Sequence, residues 1–151
     1  MNFIRFVLSL PVLHNWELHQ MDVKYAFLHG DLQEEIYIEQ TPRYAHNNSS
    51  LVYPLKKSLY GLKQALRACY TKMDSFLLGT NFFRCHSNPN VYTKKVENHL
   101  IILVLYVDDI ILTGSDPKLI THVKSSLKKN FEMSNLRHLH YFLGLQVLQT
   151  K

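Results

Sequence analysis

The stretch Leu100-Ile101-Ile102-Leu103-Val104-Leu105-Tyr106-Val107-Asp108-Asp109-Ile110-Ile111-Leu112 is an apolar run interrupted by two adjacent carboxylates. The residues on either side of the pair are rich in Leu, Ile and Val and read as two β-strands. Asp108 and Asp109 are therefore expected at or near the tip of a hairpin. Carboxylates are rarely buried without compensation, and the run contains no Lys or Arg to supply it. Two neighbouring anions repel each other unless a cation sits between them, so a tip of this kind is a platform for a divalent ion. The same two residues also suit a plain solvated turn, because Asp favours turns.

A second acidic position, Asp22, lies in Gln20-Met21-Asp22-Val23-Lys24-Tyr25-Ala26-Phe27-Leu28. The preceding Trp16-Glu17-Leu18-His19-Gln20-Met21 alternates apolar and polar residues as a half-buried strand does, which puts Asp22 at a strand end. Working outward, residues 3–14 read as an amphipathic helix that Pro11 kinks or stops early, and His29-Gly30-Asp31 as a turn. Residues 36–39 and 51–55 read as short strands, separated by the loop-like residues 41–50. Residues 63–78 read as a helix with Leu66, Tyr70, Met73, Phe76 and Leu77 near one face and Gly79 as its stop. Residues 91–93 and 99–107 read as strands, with 110–113 as the returning arm. Asp116-Pro117 predicts an N-cap followed by a first-turn proline, opening a helix that runs to about Phe131, and residues 140–148 read as a final strand. The mixture predicts an α+β fold, an antiparallel sheet with helices packed on one face.

A length of 151 residues suits one domain, and 46% apolar content is ordinary for a globular core. The net charge of +5 is unevenly placed: residues 1–53 hold three Lys/Arg against six Asp/Glu, residues 54–151 fourteen against six. The acidic part contains Asp22 and the cluster Asp31, Glu34 and Glu35; the basic part contains Lys56, Lys57, Lys63, Arg67 and Lys72. A basic surface near a metal site fits a phosphate-backbone ligand, and it equally fits a solvated face. Cys69 and Cys85 have neither a metal-ligand spacing nor a disulfide framework, and are expected to be reduced in an intracellular protein. The apolar N-terminal stretch is short and has no small-residue cleavage site after it, and residues 100–107 are far too few to span a bilayer. Neither secretion nor membrane insertion is expected; residence in the cytoplasm, the nucleus or an organelle stays open.

Tyr106-Val107-Asp108-Asp109 resembles the signature tetrapeptide of reverse transcriptases. The stretch Gln20–Leu28 is similar to the first catalytic motif of the Ty1/copia retrotransposon type, and Leu55-Lys56-Lys57-Ser58-Leu59-Tyr60-Gly61-Leu62-Lys63-Gln64-Ala65 to its template- and nucleotide-binding motif. Phe131-Glu132-Met133 and Tyr141-Phe142-Leu143-Gly144 resemble the segments that follow the Asp-Asp hairpin and end in the primer grip. The blocks stand in the family's order over nearly the whole chain. The resemblance implies the palm, with part of the fingers, of a right-hand polymerase: a single partial domain over residues 1–151. It implies Asp22 and Asp108 as principal metal ligands, Asp109 as the supporting carboxylate, and magnesium, or manganese, as cofactor. Phe27 matches the aromatic steric gate; Tyr60, Gly61, Lys63 and Gln64 match the lining of the nucleotide and template; Tyr106 packs at the primer end; Phe142, Leu143 and Gly144 contact the primer backbone. By chemistry alone Phe27 and Tyr106 serve equally as core residues, Phe142 reads better as part of an edge strand of the core, and Tyr60-Gly61-Leu62 reads as an ordinary turn. The implied partners are an RNA or DNA template with its primer, deoxynucleoside triphosphates and the remainder of a polyprotein, with no membrane; the sequence is silent on oligomeric state.

The chain departs from the family pattern at several positions. Leu66 stands where Pro is usual, Cys69 where Trp is usual, Tyr25 where Thr is usual, Asn135-Leu136-Arg137 for Asp-Leu-Gly, and Gln146 for Glu. Loss of the Trp removes packing worth on the order of a few kcal/mol if nothing fills the space. Upstream finger strands, a thumb and a ribonuclease H region are not found within the 151 residues. Two readings stand: a polymerase domain that extends primers by two-metal nucleotidyl transfer, and a truncated, inactive relic that at most binds nucleic acid or metal weakly.

Overall fold

The hairpin read from residues 100–112 lies at the centre of a six-stranded antiparallel sheet. The computed structural model describes residues 2–24, 35–39, 52–56, 63–136, 141–142 and 145–147. In chain order the elements are α1 (Asn2–His14), β1 (His19–Val23), β2 (Tyr37–Glu39), β3 (Val52–Pro54), α2 (Lys63–Gly79), β4 (Phe83–Arg84), β5 (Val91–Val96), β6 (His99–Tyr106), β7 (Asp109–Gly114), α3 (Pro117–Asn130), β8 (Met133–Leu136), β9 (Tyr141–Phe142) and β10 (Leu145–Gln146). The chain divides into two compact units, Tyr25–Asp74 and the remainder, Met1–Lys24 with Ser75–Lys151. In the first, β2 pairs antiparallel with β3, with Ile38 opposite Tyr53, and Ala65, Cys69 and Met73 recur along the buried side of α2. Neither Cys69 nor Cys85 is in a disulfide.

The second unit holds the sheet, in the order β4-β5-β6-β7-β1-β8. Its register sets Val91 opposite Val104, Val104 opposite Ile111 and Ile111 opposite Gln20. Side chains alternate between the faces of a strand, so Val91, Ile102, Val104 and Ile111 share one face, and there they pack with Val7 of α1 and Leu18. Gly114 and Leu112 point to the other face, where α3 lies against β7 with Ile120, Val123 and Leu127 buried. A Cβ at Gly114 would lie 3.0 Å from the Ile120 side chain and 2.6 Å from the Leu100 carbonyl oxygen, so only glycine allows this approach.

The expectation of helices on one face is thereby corrected: α1 and α3 lie on opposite faces. The cause is visible in β6, where Ile101 to Leu105 are all buried. An unbroken apolar strand is one covered on both sides, whereas a half-solvated strand alternates.

Local endings also differ from the sequence reading. Pro11 does not stop α1 early; it sits buried inside the helix, and its carbonyl accepts the closing bond from the Trp16 amide at 2.9 Å, with Asn15 left-handed at φ 54°. Gly79 is the last residue of α2, yet the left-handed residue is Asn81 (φ 63°), and the Thr80 hydroxyl donates to the Phe76 and Leu77 carbonyls at 3.0 Å. The strand read over 140–148 is two short strands, β9 and β10, paired antiparallel. The expected cap of α3 is present: the Lys118 amide donates to Asp116 Oδ1 at 2.8 Å. Among the described residues no helix is long and apolar enough to cross a membrane.

Candidate metal and active site

The β6–β7 turn has two residues, Val107 and Asp108, because Tyr106 pairs with Asp109. Val107 adopts φ 58°, a region that β-branched residues rarely enter. Positive φ at the first central residue is what a tight hairpin turn demands, and glycine usually supplies it. The turn is tied across to the neighbouring strand: the Val23 amide donates to the Asp108 carbonyl at 2.9 Å.

On that neighbouring strand, Asp22 lies directly opposite Asp109 in the β1–β7 ladder. Residues directly opposed on adjacent strands have Cβ atoms about 5 Å apart and share a face, so the two carboxylates issue side by side from one face of the sheet, at the strand ends next to the turn that holds Asp108. Both Asp22 and Asp109 are half-buried. Gln20, two residues before Asp22 and on the same face, donates from Nε2 to Asp109 Oδ1 at 2.9 Å. Ser134 of β8, the Cα partner of Asp22, donates from its hydroxyl to Asp22 Oδ2 at 3.1 Å. These two polar residues were not singled out in the sequence. Gln20 could have been, from the strand period of two; Ser134 could not, because its place depends on a strand pairing between distant segments.

Burial raises the Asp109 carboxyl above its ordinary value; the Gln20 hydrogen bond pulls it down, and the charges of Asp108 and Asp22 push it up again. The site thus concentrates negative charge, and among the described residues no cation acts on the Asp109 carboxyl. All-oxygen donors of this kind suit a hard divalent cation. Among the described residues, no three His, Cys, Asp or Glu side chains converge closely enough to hold a metal ion as they stand. Gln20 and Ser134 hold Asp109 and Asp22 instead. The donor set fits the metal; a shared coordination shell would require these side chains to turn.

Of the other candidate residues, Tyr106 ends β6 at the turn and is 39% exposed. Lys63 and Gln64 open α2, and Phe142 lies in β9 opposite Leu145; only their backbone is described. Phe27, Tyr60, Gly61, Leu143 and Gly144 lie outside the described residues. The structure brings together Asp22, Asp108, Asp109 and Tyr106, all within the sheet-bearing unit.

Known proteins are similar to this chain over most or all of its length. The Pol polyprotein of transposon TNT 1-94 from Nicotiana tabacum, described as retrovirus-related, is 44% identical over 153 aligned residues, covering 100% of this chain and 12% of its own length. The corresponding polyprotein of transposon RE1 from Arabidopsis thaliana is 36% identical, over 95% of this chain and 10% of its own. The transposon Ty1-NL2 Gag-Pol polyprotein of Saccharomyces cerevisiae is 32% identical, over 83% of this chain and 7% of its own. The chain therefore spans about a tenth of the length of these curated relatives. No solved structure matches it. The profile of the family described as reverse transcriptase (RNA-dependent DNA polymerase) matches residues 1–151, and with its copia-type relatives this places the chain in the reverse transcriptase family.

Proposed function

We propose that this chain is the palm, with part of the fingers, of an RNA-directed DNA polymerase of a copia-type retrotransposon, transferring a nucleotide from a deoxynucleoside triphosphate to a primer 3′-hydroxyl. The observation that carries the reading is the pairing of Asp22 with Asp109 across β1 and β7, with Asp108 in the adjoining turn. Two neighbouring interior strands, each contributing a carboxylate at its end on one face, make a rigid base for a pair of divalent ions. When bound there, magnesium or manganese would lower the pKa of the attacking hydroxyl and neutralise charge on the α-phosphate during in-line displacement.

The protein's own share is positioning. Gln20 holds Asp109 and Ser134 holds Asp22, so both carboxylates have a fixed starting orientation. The bond from the Val23 amide to the Asp108 carbonyl holds the turn against β1. In phosphoryl transfer such positioning, with charge stabilisation, is most of the catalysis. The family motif extends the reading to Phe27 against the sugar 2′ position, to Tyr60, Gly61, Lys63 and Gln64 toward nucleotide and template, to Tyr106 at the primer end, and to Phe142, Leu143 and Gly144 along the primer backbone.

The test is primer extension on poly(rA)·oligo(dT) with magnesium or manganese, comparing the chain with its Asp108→Asn/Asp109→Asn variant. Extension that the double substitution abolishes is the expected result. No extension from a sample folded by circular dichroism would overturn the polymerase reading for this chain and leave an inactive relic of the family.

A further inference from the structure

Helix α3 carries Lys118, Lys124, Lys128 and Lys129 and no acidic residue. Its buried side is Ile120, Val123 and Leu127. At 100° per residue, the opposite side is centred on Lys118, His122, Ser125 and Lys129, with Lys128 flanking it; these five are exposed. Lys124 is turned inward, its Nζ 2.9 Å from His19 Nδ1 on β1.

A solvated helix is ordinarily balanced by opposite charges three or four residues apart. Here Lys124 and Lys128 form a like-charged pair at that spacing. Burial first, then the charge of Lys128, lowers the Lys124 ammonium below its usual value. Lys128 and Lys129 are explained by the helix dipole, which favours cations in the last turn; Lys118 stands in the first turn, where the dipole opposes it. Asp116 at the N-cap offsets charge near Lys118, and Glu17 opposes the lowering at Lys124, but the helix itself carries four lysines and no acidic residue. From Lys118 to Lys129 the stripe is about 16 Å long, the rise of roughly five base pairs of duplex.

The stripe and the carboxylates are on different faces of the sheet. Asp22, Asp109 and Gln20 share the face of Ile111, on which α1 packs, while α3 covers the other. We propose that the outer side of α3 is a second nucleic-acid surface, which takes the phosphate backbone of a duplex remote from the carboxylates. The choice of nucleic acid among polyanions rests on the polymerase reading; the surface itself rests on the charge pattern of α3.

The experiment is fluorescence anisotropy of a labelled 20-base-pair duplex titrated with the full chain at 50 and 200 mM salt, without divalent ions. Lys118→Gln/Lys129→Gln is compared with the charge-matched Arg5→Gln/Lys95→Gln, both checked for folding by circular dichroism. Each phosphate contact contributes about 0.9 to the slope of log affinity against log salt. The wild type is therefore expected to lose about tenfold more affinity between the two salt concentrations than the α3 variant, and the Arg5/Lys95 variant to behave as the wild type. Equal salt dependence in both variants, or displacement of the duplex by polyglutamate at equal charge, would overturn the proposal. Asp22→Asn is expected to leave the α3 effect intact, so failure of primer extension and failure of this surface are separate results.

Discussion

Asp109 is where sequence, fold and chemistry press on one atom group. Its folded-state pKa is raised by burial above the ordinary value of 3.8, with the Gln20 bond opposing and Asp108 and Asp22 assisting. Between the two values the folded chain holds a proton that the unfolded chain has released. The stability this group contributes is thus complete below the ordinary carboxylate value and is lost as pH rises through the raised one. Without divalent ions, melting temperature is expected to fall over that window in the wild type, and Asp109→Asn to remove that component of the fall; thermal unfolding at closely spaced pH values checks it. Replacing Gln20 by Leu removes the one influence that lowers this pKa, so the Asp109 titration, followed by NMR, moves further up. Two residues away, Val107 at φ 58° stores strain of about 1–3 kcal/mol, against about 1 kcal/mol of unfolded-state entropy that a glycine would add. Val107 is 45% exposed, so little packing is lost on its removal. Val107→Gly is therefore expected to stabilise the chain by about 1 kcal/mol in urea denaturation; a loss of stability would contradict the strained turn.

At the scale of elements, what could be read from the sequence depended on how local the cause was. The β6–β7 hairpin, α2, α3 and the Asp116 cap follow from apolar period and turn chemistry within a few residues. β4 and β8 were not read: β4 has two residues, too few to show a period, and β8 is a strand because β1 accepts it, Asp22 opposite Ser134. The two-sided burial of the sheet was encoded in the unbroken run of β6, which the one-face expectation overlooked. The carboxylate triad was legible as residue types; its holders Gln20 and Ser134 were legible only in part, since one lies on the same strand and the other across the fold. The two described glycines at element ends behave oppositely. At Gly114 a Cβ meets the Leu100 carbonyl at 2.6 Å and the Ile101 Cα at 3.2 Å, both backbone, so Gly114→Ala is expected to cost about 1–3 kcal/mol. At Gly79 nothing lies within 4 Å, and Gly79→Ala is expected to gain about 0.4–1 kcal/mol. Urea denaturation of the pair tests whether α2 ends through Thr80 and Asn81 rather than through Gly79.

At the scale of the whole molecule, the two faces of the sheet divide the labour of charge. The strand ends at the β6–β7 turn gather Asp22, Asp108 and Asp109; the helix on the opposite face gathers lysines. Burial, with the charges of Asp108 and Asp22, penalises the ionised Asp109 in the folded chain, so this group subtracts from stability until a cation offsets it. A ligand that binds only the folded state stabilises it by RT ln(1 + [L]/Kd), about 1.4 kcal/mol at ten times Kd. For a chain of this length 1 kcal/mol is about 2–4 °C in melting temperature. At a magnesium concentration ten times Kd, found from the titration itself, the wild type is expected to melt about 3–6 °C higher than in sodium chloride of matched ionic strength. Asp22→Asn/Asp109→Asn is expected to melt higher than the wild type without magnesium and to gain nothing from it. The matched ionic strength matters, because simple screening would relieve the same repulsion with either salt; only a site that selects the divalent ion separates the two curves. A magnesium gain that survives the double substitution would place the ion elsewhere in the chain and remove the carboxylates as its seat.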